Sequence, residues 1–188
     1  GIHVSVLLVA NRKKREPEEA RMARQKAVKS AIHWEDALSL NTTLESISGR
    51  QWSLVVDGMF GIGLKEALTG SRSQLVEIVN TLPCPILALD VPSGLNADTG
   101  NVVGDDAVAI RATHTITFIA DKPGLHTGKG RDHAGEVHIA SLDVDKACFP
   151  DTQCWLNGPE LFRTFLTPRR HDTHKGSYGR LAIIGGAA

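Results

Sequence analysis

The sequence lacks the features that mark a secreted, membrane-spanning or zinc-finger protein. It has only three cysteines in 188 residues, and their spacing fits neither a disulfide framework nor a zinc site. No apolar run approaches the roughly 20 residues that a membrane-spanning helix needs. Residues 2–10 follow no basic region and precede no clear cleavage site, so they indicate a buried strand rather than a secretion signal. We therefore expect a protein of the reducing cytoplasm.

A net charge is also absent, since 21 Lys and Arg residues balance 21 Asp and Glu residues. Binding to nucleic acid or to an anionic membrane through overall charge requires Lys and Arg clustered on one face. The basic run at residues 12–15 leads straight into Glu16 and is more typical of a solvated loop than of a phosphate contact. The eight histidines show no metal-ligand spacing along the chain, so His33, His114 and His138 are interpreted as ordinary strand or helix residues.

Short apolar runs alternate with amphipathic stretches along the first 140 residues. β-Branched apolar runs predict strands at residues 2–10, 52–58, 86–92, 114–120 and 135–140. Helical spacing predicts a helix over about 16–32 and another that runs to Leu82, with Ser71 or Ser73 as its N-cap. Strands that alternate with helices imply right-handed crossovers and a mostly parallel sheet covered on both faces. The sequence thus predicts the α/β fold class.

Two predicted strands end in an acid, Asp57 and Asp90, and loop-forming residues follow each of them. A single acid after a strand is often only a turn former or a helix cap. Ligands of open α/β sheets, however, bind outside the carboxyl ends of the strands. Two such acids can therefore point into one cleft, and the pair favours a functional site.

The segment that follows the first acid, DGMFGIGLKEAL at residues 57–68, is rich in glycine. Glycines let backbone amides crowd a bound anion without interference from a Cβ atom. The spacing is not a dinucleotide fingerprint, because Glu66 stands where the third glycine is required, and it is not a P-loop. A flexible turn between a strand and a helix stays open as the alternative.

The segment around the second acid, LDVPSGLNADTG at residues 89–100, packs a carboxylate, a hydroxyl and turn carbonyls into a few residues. Such a set suits a hard cation or a ribose-type diol, and an Asx-type turn is the alternative. Ser93 is not predicted to be an esterase nucleophile, because Val91 replaces the first glycine of the Gly-x-Ser-x-Gly elbow. A later loop, residues 122–132, either closes the cleft over phosphate groups or is an ordinary surface loop.

At residues 57–68, 89–96 and 117–124, the sequence resembles the YjeF amino-terminal domain, the NAD(P)HX epimerase family. The resemblance covers about residues 1–145 and implies a Rossmann-like three-layer α/β/α sandwich. Residues 174–188, which contain HKGSYGR and a predicted strand, resemble the start of a ribokinase-like NAD(P)HX dehydratase domain. Residues 146–173 are expected to form a linker with one short helix. The order of the two domains resembles the fused repair enzymes of bacteria and archaea.

The resemblance implies that the epimerase domain interconverts the R and S forms of hydrated NADH and NADPH (NADHX and NADPHX). The dehydratase domain would then restore the cofactor with ATP or ADP. Asp57 and Ser93 would be ligands of a potassium ion, and Asp90 would contact the substrate and act as the catalytic acid or base. The substrate's phosphates would be held by the loop made of Gly61, Ile62, Gly63, Leu64, Lys65, Glu66 and Ala67. A homo-oligomer is expected from the same resemblance.

One family feature is missing from the sequence, the Asn-Asn-Gly-Gly-Asp-Gly loop, which would lie just upstream of Gly1. We therefore expect a fragment that holds part of the site and epimerises poorly by itself. A non-catalytic ligand-binding or protein-interaction module of the same family stays open, although the retained Asp57, Asp90 and Ser93 argue against a degenerate site. A sugar kinase, suggested by residues 174–188 alone, is disfavoured because no phosphate-acceptor base motif is present.

Overall fold

In the computed structural model the chain divides into two compact units, Gly1–Phe149 and Pro150–Ala188. The structure describes residues 2–9, 17–30, 33–35, 47–152, 154–165, 168, 170–174, 176–177 and 182. Within these residues, the strands and α-helices all belong to the first unit. The helices of the described part are too short or too polar to cross a membrane.

The regular elements of the first unit are strands interspersed with helices. The strands are β1 (Ser5–Leu7), β2 (His33–Glu35), β3 (Val55–Asp57), β4 (Ile86–Leu89), β5 (His114–Phe118) and β6 (Glu136–Ala140). The α-helices are α1 (Glu18–Val28), α2 (Ser71–Thr81) and α3 (Gly130–Ala134). The apolar runs that predicted strands therefore do form strands, although the hydrogen-bonded parts are shorter than the runs.

All the strand pairs are parallel. β1 pairs with β2 in a two-stranded sheet, and a second sheet has the order β3-β4-β5-β6. Parallel strands, with α2 between β3 and β4 and α3 between β5 and β6, confirm the α/β class that the sequence pattern predicted. Since all strands of the second sheet run in the same direction, their carboxyl ends share one edge.

One face of the four-stranded sheet carries the main hydrophobic core. Ile86 and Ala88 alternate onto this face of β4 and are buried in one cluster with Leu75, Val76 and Val79 of α2. Burial of each of the larger side chains stabilises the fold by about 1.5–3 kcal/mol. This burial holds α2 against β4, the strand that precedes Asp90. The helix therefore sets the position of the end of β4.

The opposite face of this sheet, called the open face below, is less covered. The register places Val56, Leu87, His114 and Glu136 beside one another on it, and the side chain of Val56 is 53% exposed. Among the described residues, the side chains of this face are half-buried or exposed, and α1 contributes no buried residue. Helices were predicted on both faces of the sheet. Among the described residues, buried helix packing is observed on one face.

The predicted serine caps of the second helix are wrong. α2 begins at Ser71, its N-cap is Gly70 with φ of 61°, and no side chain caps it. The Ser73 hydroxyl instead donates 2.8 Å to the Gly70 carbonyl, because both serines already lie in the first helical turn. A left-handed glycine brings the chain into the helix here, and serine propensity alone gives no sign of it.

The second unit contains little regular structure in its described part. Two short 3-10 helices, Pro159–Leu161 and Arg163–Phe165, occupy the place of the predicted short helix. Their apolar side chains are exposed, and Phe165 is 83% exposed. The strand predicted after Ser177 falls almost wholly outside the described residues. The predicted start of a dehydratase domain therefore stays a prediction.

Candidate functional site at the strand ends

The turn after β4 is fastened to the end of β3 through Asp57 and Ser93. The Ser93 hydroxyl donates to Asp57 Oδ1 at 2.7 Å, and the Ser93 amide donates to Asp57 Oδ2 at 2.8 Å. The amide of Met59 also donates to Asp57 Oδ1, at 3.2 Å. Asp57 and Ser93 are 4% and 1% exposed. Both oxygens of a buried carboxylate are therefore satisfied by hydrogen bonds from the protein.

Burial of Asp57 disfavours the charged form of its carboxyl group. Burial raises the pKa of this carboxyl above its ordinary value of 3.8, although hydrogen bonds from Ser93 and Met59 act in the opposite direction. In the described part of the chain, no Lys or Arg side chain forms a salt bridge with it. An ionised buried carboxylate is stabilised by a cation, so this position is chemically suited to one.

Oxygen atoms suited to a hard cation surround this pair. The Ser93 hydroxyl accepts a hydrogen bond from the Phe60 amide at 3.0 Å and lies 3.4 Å from the Phe60 carbonyl oxygen. A carboxylate, a hydroxyl and a backbone carbonyl are the ligand types that alkali and alkaline-earth cations prefer. The donor set of Asp57, Ser93 and Phe60 therefore fits the cation predicted at this position.

Asp90 follows β4 directly and pairs with Lys122. Its φ is 71°, a left-handed conformation that Asp tolerates better than most residues. The Lys122 ammonium lies 2.7 Å from Asp90 Oδ1 and also donates to Thr117 Oγ1, Phe118 O and Ala120 O at 2.7, 2.8 and 3.1 Å. With four oxygen partners and a 16% exposed side chain, Lys122 is committed to Asp90 rather than available for phosphate.

Gly61 brings the glycine-rich loop next to Asp90. A Cβ atom added at Gly61 would lie 3.0 Å from Asp90 Oδ2, whereas one added at Gly63 would meet open space. The second oxygen of Asp90 therefore faces this loop, while Lys122 holds the first. The Asp90 side chain is 20% exposed, and Ile62 of the loop is 66% exposed. Solvent and a ligand can therefore reach both Asp90 and the loop.

The amides of the loop over residues 61–67 are mostly free of protein partners. In the part of the chain that the structure describes, only Leu64 of this loop donates its amide to a protein oxygen, the Gly61 carbonyl at 3.4 Å. Neighbouring backbone amides without internal acceptors are the donors that bind anions in proteins. The loop therefore has the composition and the exposure that an anion site requires.

The turn that carries Ser93 depends on Gly94. This glycine has φ of 102°, and a Cβ atom there would lie 2.5 Å from the Val108 carbonyl and 2.7 Å from Ala109 Cα. The Ile110 amide donates to the Ser93 carbonyl at 2.9 Å across the same contact. Close packing of two backbones, which only glycine allows here, thus holds Ser93 against Asp57.

The structure places the predicted residues along one edge of the sheet. Asp57 accepts hydrogen bonds from Ser93, and a Cβ atom added at Gly61 would lie 3.0 Å from Asp90 Oδ2. Sequence reasoning missed Lys122 as the partner of Asp90. The missed signal was its position, because Lys122 follows β5, the strand beside β4, and so belongs to the same edge.

A cavity of about 840 Å³ lies elsewhere, between α2, α3 and the loop over residues 102–111. It is lined in part by Asn80, Arg111, Lys129 and His133. The lining of this cavity includes none of the strand-end residues. The Asn80 side chain in the cavity donates a hydrogen bond to the Ala109 carbonyl at 3.0 Å and so stabilises the backbone there.

Comparison with known proteins identifies the family. Residues 1–124 match the family described as YjeF-related protein N-terminus. The chain is 42% identical over 187 residues to the bifunctional NAD(P)H-hydrate repair enzyme Nnr of Escherichia coli (strain K12), covering 99% of this chain and 34% of that protein. It is 35% identical over 141 residues to the NAD(P)H-hydrate epimerase of Limosilactobacillus reuteri, covering 75% of this chain and 61% of that protein.

The bifunctional enzyme of Vibrio cholerae is 42% identical over 135 residues, which cover 71% of this chain and 27% of that protein. The chain thus spans about a third or less of the length of these bifunctional relatives. Its similarity to the Escherichia coli protein extends past the strand-end site into the second unit. The chain belongs to the family of YjeF-related protein N-terminal domains.

Proposed function

We propose that this chain is the epimerase part of an NAD(P)H-hydrate repair enzyme and interconverts the R and S epimers of NADHX and NADPHX. The observation that carries the proposal is the closeness of Asp90 Oδ2 to Gly61, where an added Cβ atom would lie 3.0 Å from that oxygen, in a loop whose amides other than that of Leu64 have no acceptor among the described residues. The names of its relatives, NAD(P)H-hydrate epimerase and repair enzyme, supply the substrate class.

In this proposal the loop over residues 61–67 holds the phosphates of the nucleotide. Among the described residues, its amides other than that of Leu64 have no protein acceptor, and the absence of a side chain at Gly61 lets a phosphate approach the backbone closely. Lys65 is exposed on the same loop and adds one positive charge. The phosphates then position the nicotinamide ring, which is the reacting part of the substrate, near Asp90.

Asp90 is proposed as the catalytic acid and base. Lys122 holds Oδ1, so Oδ2 is the oxygen that exchanges a proton with the substrate. Hydroxide leaves the hydrated carbon and produces a ring-stabilised cation, which the Asp90 carboxylate faces. Water then attacks the opposite ring face and gives its proton to Asp90, which passes it to the departed hydroxide to form water, so that the centre is inverted and the Asp90 carboxylate is restored.

Asp57 and Ser93, with the Phe60 carbonyl, are proposed to hold a potassium ion. Support comes from the buried, unpaired carboxylate and from the all-oxygen donor set around it. When bound, the ion supplies a fixed positive charge that offsets Asp57 and attracts oxygens of the substrate. The hydrogen bonds from Ser93 keep the turn after β4 in place for Asp90.

The bifunctional names of several relatives support a wider proposal for the protein that carries this chain. We propose a second activity, dehydration of the S epimer with ATP or ADP, to which residues 174–188 contribute. The cytoplasm is the proposed location, where Cys84, Cys148 and Cys154, all free, would stay reduced. Self-association stays a prediction from the family resemblance.

Chromatographic separation of the epimers tests the proposal. A pool of R-NADHX, freed of the S form by a separate dehydratase, is incubated with the protein that carries this chain. We expect the S epimer to appear much faster than in the protein-free blank. A rate equal to the blank, from protein that is folded and is stabilised by NADP-type ligands, would reject the epimerase and favour a non-catalytic binding module.

A further inference from the structure

Two histidines and a glutamate meet on the open face of the four-stranded sheet, away from the strand-end site. The parallel register pairs His114 of β5 with Glu136 of β6, and it places His138 two residues further along β6 on the same face. His114 and Glu136 are the first residues of their strands. The cluster therefore lies toward the amino ends of the strands, whereas Asp57 and Asp90 follow the carboxyl ends.

The distances within this cluster are close to those of a tetrahedral metal site. His114 Nδ1 and His138 Nε2 are 3.4 Å apart, Glu136 Oε2 lies 3.6 Å from the former, and Glu136 Oε1 lies 3.7 Å from the latter. Zinc binds imidazole nitrogen and carboxylate oxygen at 2.0–2.2 Å, which separates neighbouring ligand atoms of a tetrahedron by about 3.4 Å. One ligand atom from each of the three residues can therefore reach a common ion.

The strands hold these ligands in place before any ion arrives. Backbone pairing between β5 and β6 fixes the spacing of the three Cα positions, so little order must be gained on binding. The side chains of His114, Glu136 and His138 are 44%, 67% and 49% exposed, which leaves an open path for an ion and a free position for water. Without an ion, two imidazole nitrogens at 3.4 Å need a shared proton between them.

We propose that His114, Glu136 and His138 bind one zinc ion, or another imidazole-binding transition metal ion, with water as the fourth ligand. Two imidazoles and one carboxylate favour such ions over Mg²⁺ and Ca²⁺, which prefer all-oxygen sets. The site is independent of the proposed epimerase activity, because it lies at the other end of the strands and shares no residue with the strand-end site.

Zinc titration of the untagged protein, with a chromogenic chelator as competitor, tests this proposal. The wild-type chain is expected to bind one equivalent of Zn²⁺ and to show no comparable binding of Mg²⁺. His114→Asn, Glu136→Gln and His138→Asn each remove one ligand and are expected to weaken Zn²⁺ binding at least about 10-fold. His171→Asn removes an exposed histidine from the second unit and is expected to bind like the wild type.

Thermal unfolding in the presence of a chelator shows whether each variant is folded. An equal unfolding temperature for the four variants and the wild type attributes lost binding to lost ligands. The proposal is overturned if the wild-type chain binds no equivalent of Zn²⁺, or if the three ligand variants bind as tightly as His171→Asn. A comparable loss in His171→Asn would also overturn it, because the ion would then be held by surface histidines in general.

Discussion

Ser93 donates hydrogen bonds to both oxygens of Asp57, through its hydroxyl at 2.7 Å and through its backbone amide at 2.8 Å. The two residues are 36 positions apart in the chain and belong to the ends of neighbouring strands. This contact joins the glycine-rich loop to the turn that carries Asp90. The stability and the chemistry of the strand-end site therefore both depend on one buried carboxylate.

Replacement of Ser93 by alanine should destabilise the first unit. The change removes one hydrogen bond to the buried Asp57 and leaves the partly buried Phe60 amide without its acceptor, and we expect a loss of about 2 kcal/mol in the free energy of unfolding. Urea denaturation measures it. Ser73→Ala, which removes an exposed bond to Gly70, is the control and should cost no more than about 0.5 kcal/mol. An equal loss of unfolding free energy in the two variants would show that the hydrogen bonds of Ser93 stabilise the fold no more than the exposed bond of Ser73.

The charge of Asp57 should make stability depend on pH in a defined direction. Burial raises its pKa above 3.8, so between that value and the raised pKa the folded state binds more protons than the unfolded state. The contribution of Asp57 to stability therefore falls as pH rises through this window and stays low above it. The Asp57→Asn variant has no such titration. Its stability relative to wild type should increase as pH rises from 3.8.

Urea denaturation of wild type and Asp57→Asn at a series of pH values gives this difference directly. The difference cancels the other carboxylates, which titrate equally in both proteins. A difference that is constant, or that changes in favour of the wild type as pH rises, would contradict burial of an uncompensated Asp57.

Potassium should reduce the cost of that buried charge. If the ion binds at Asp57 and Ser93, KCl at ten times the dissociation constant should stabilise the wild-type chain by about 1.4 kcal/mol relative to choline chloride at equal ionic strength. The stabilisation should vanish in Asp57→Asn, which lacks the charge. Differential scanning calorimetry provides the measurement. Equal stabilisation of wild type and variant by potassium would place any ion elsewhere.

Gly61 and Gly63 form a matched pair for the loop beside Asp90. A methyl group at Gly61 would lie 3.0 Å from Asp90 Oδ2, and one at Gly63 would meet open space. Gly61→Ala should displace the proton-exchanging oxygen and lower the epimerisation rate about tenfold, whereas Gly63→Ala should stay within about twofold of wild type. Epimer chromatography compares them. Similar epimerisation rates for the two variants would contradict a role of Gly61 in positioning Asp90 Oδ2.

The position of the candidate site could be predicted from the sequence because residues at the carboxyl ends of parallel strands lie at the same edge of the sheet. Apolar runs that end in Asp57 and Asp90 predict strands, and alternating helices predict that the strands are parallel. Parallel strands have their carboxyl ends at one edge, so acids at those ends lie near one another. The contact between Asp57 and Ser93 follows this logic, but its hydrogen bonds depend on the Gly94 turn, whose close approach involves residues 108–109.

The partner of Asp90 could not be predicted from local pattern. Lys122 reaches Asp90 because the chain folds back after β5 at Ile119, whose φ of 70° is rare for a β-branched residue. Strand propensity at Ile119 predicts continued extension instead. In sequence, a lysine in a glycine-containing loop also resembles a phosphate contact, so only its three-dimensional position separates a phosphate contact from an ion-pair partner of Asp90.

The cluster of His114, Glu136 and His138 was equally hidden from sequence reasoning. A search for ligand spacing along the chain cannot detect it, because 22 positions separate the first residues of β5 and β6. The register of two strands brings the side chains together. The sequence pattern therefore predicts ordinary strand or helix residues at His114 and His138.

The epimerisation rate of Asp90→Asn in the protein that carries this chain tests the central claim most directly. Asp98→Asn is the matched control, since Asp98 is an exposed acid in the same loop after β4. We predict that Asp90→Asn lowers conversion of R-NADHX to the S form by about 10²- to 10⁴-fold, and that Asp98→Asn stays within about twofold of wild type. A folded Asp90→Asn protein with the wild-type rate would contradict the assignment of Asp90 as the catalytic acid and base.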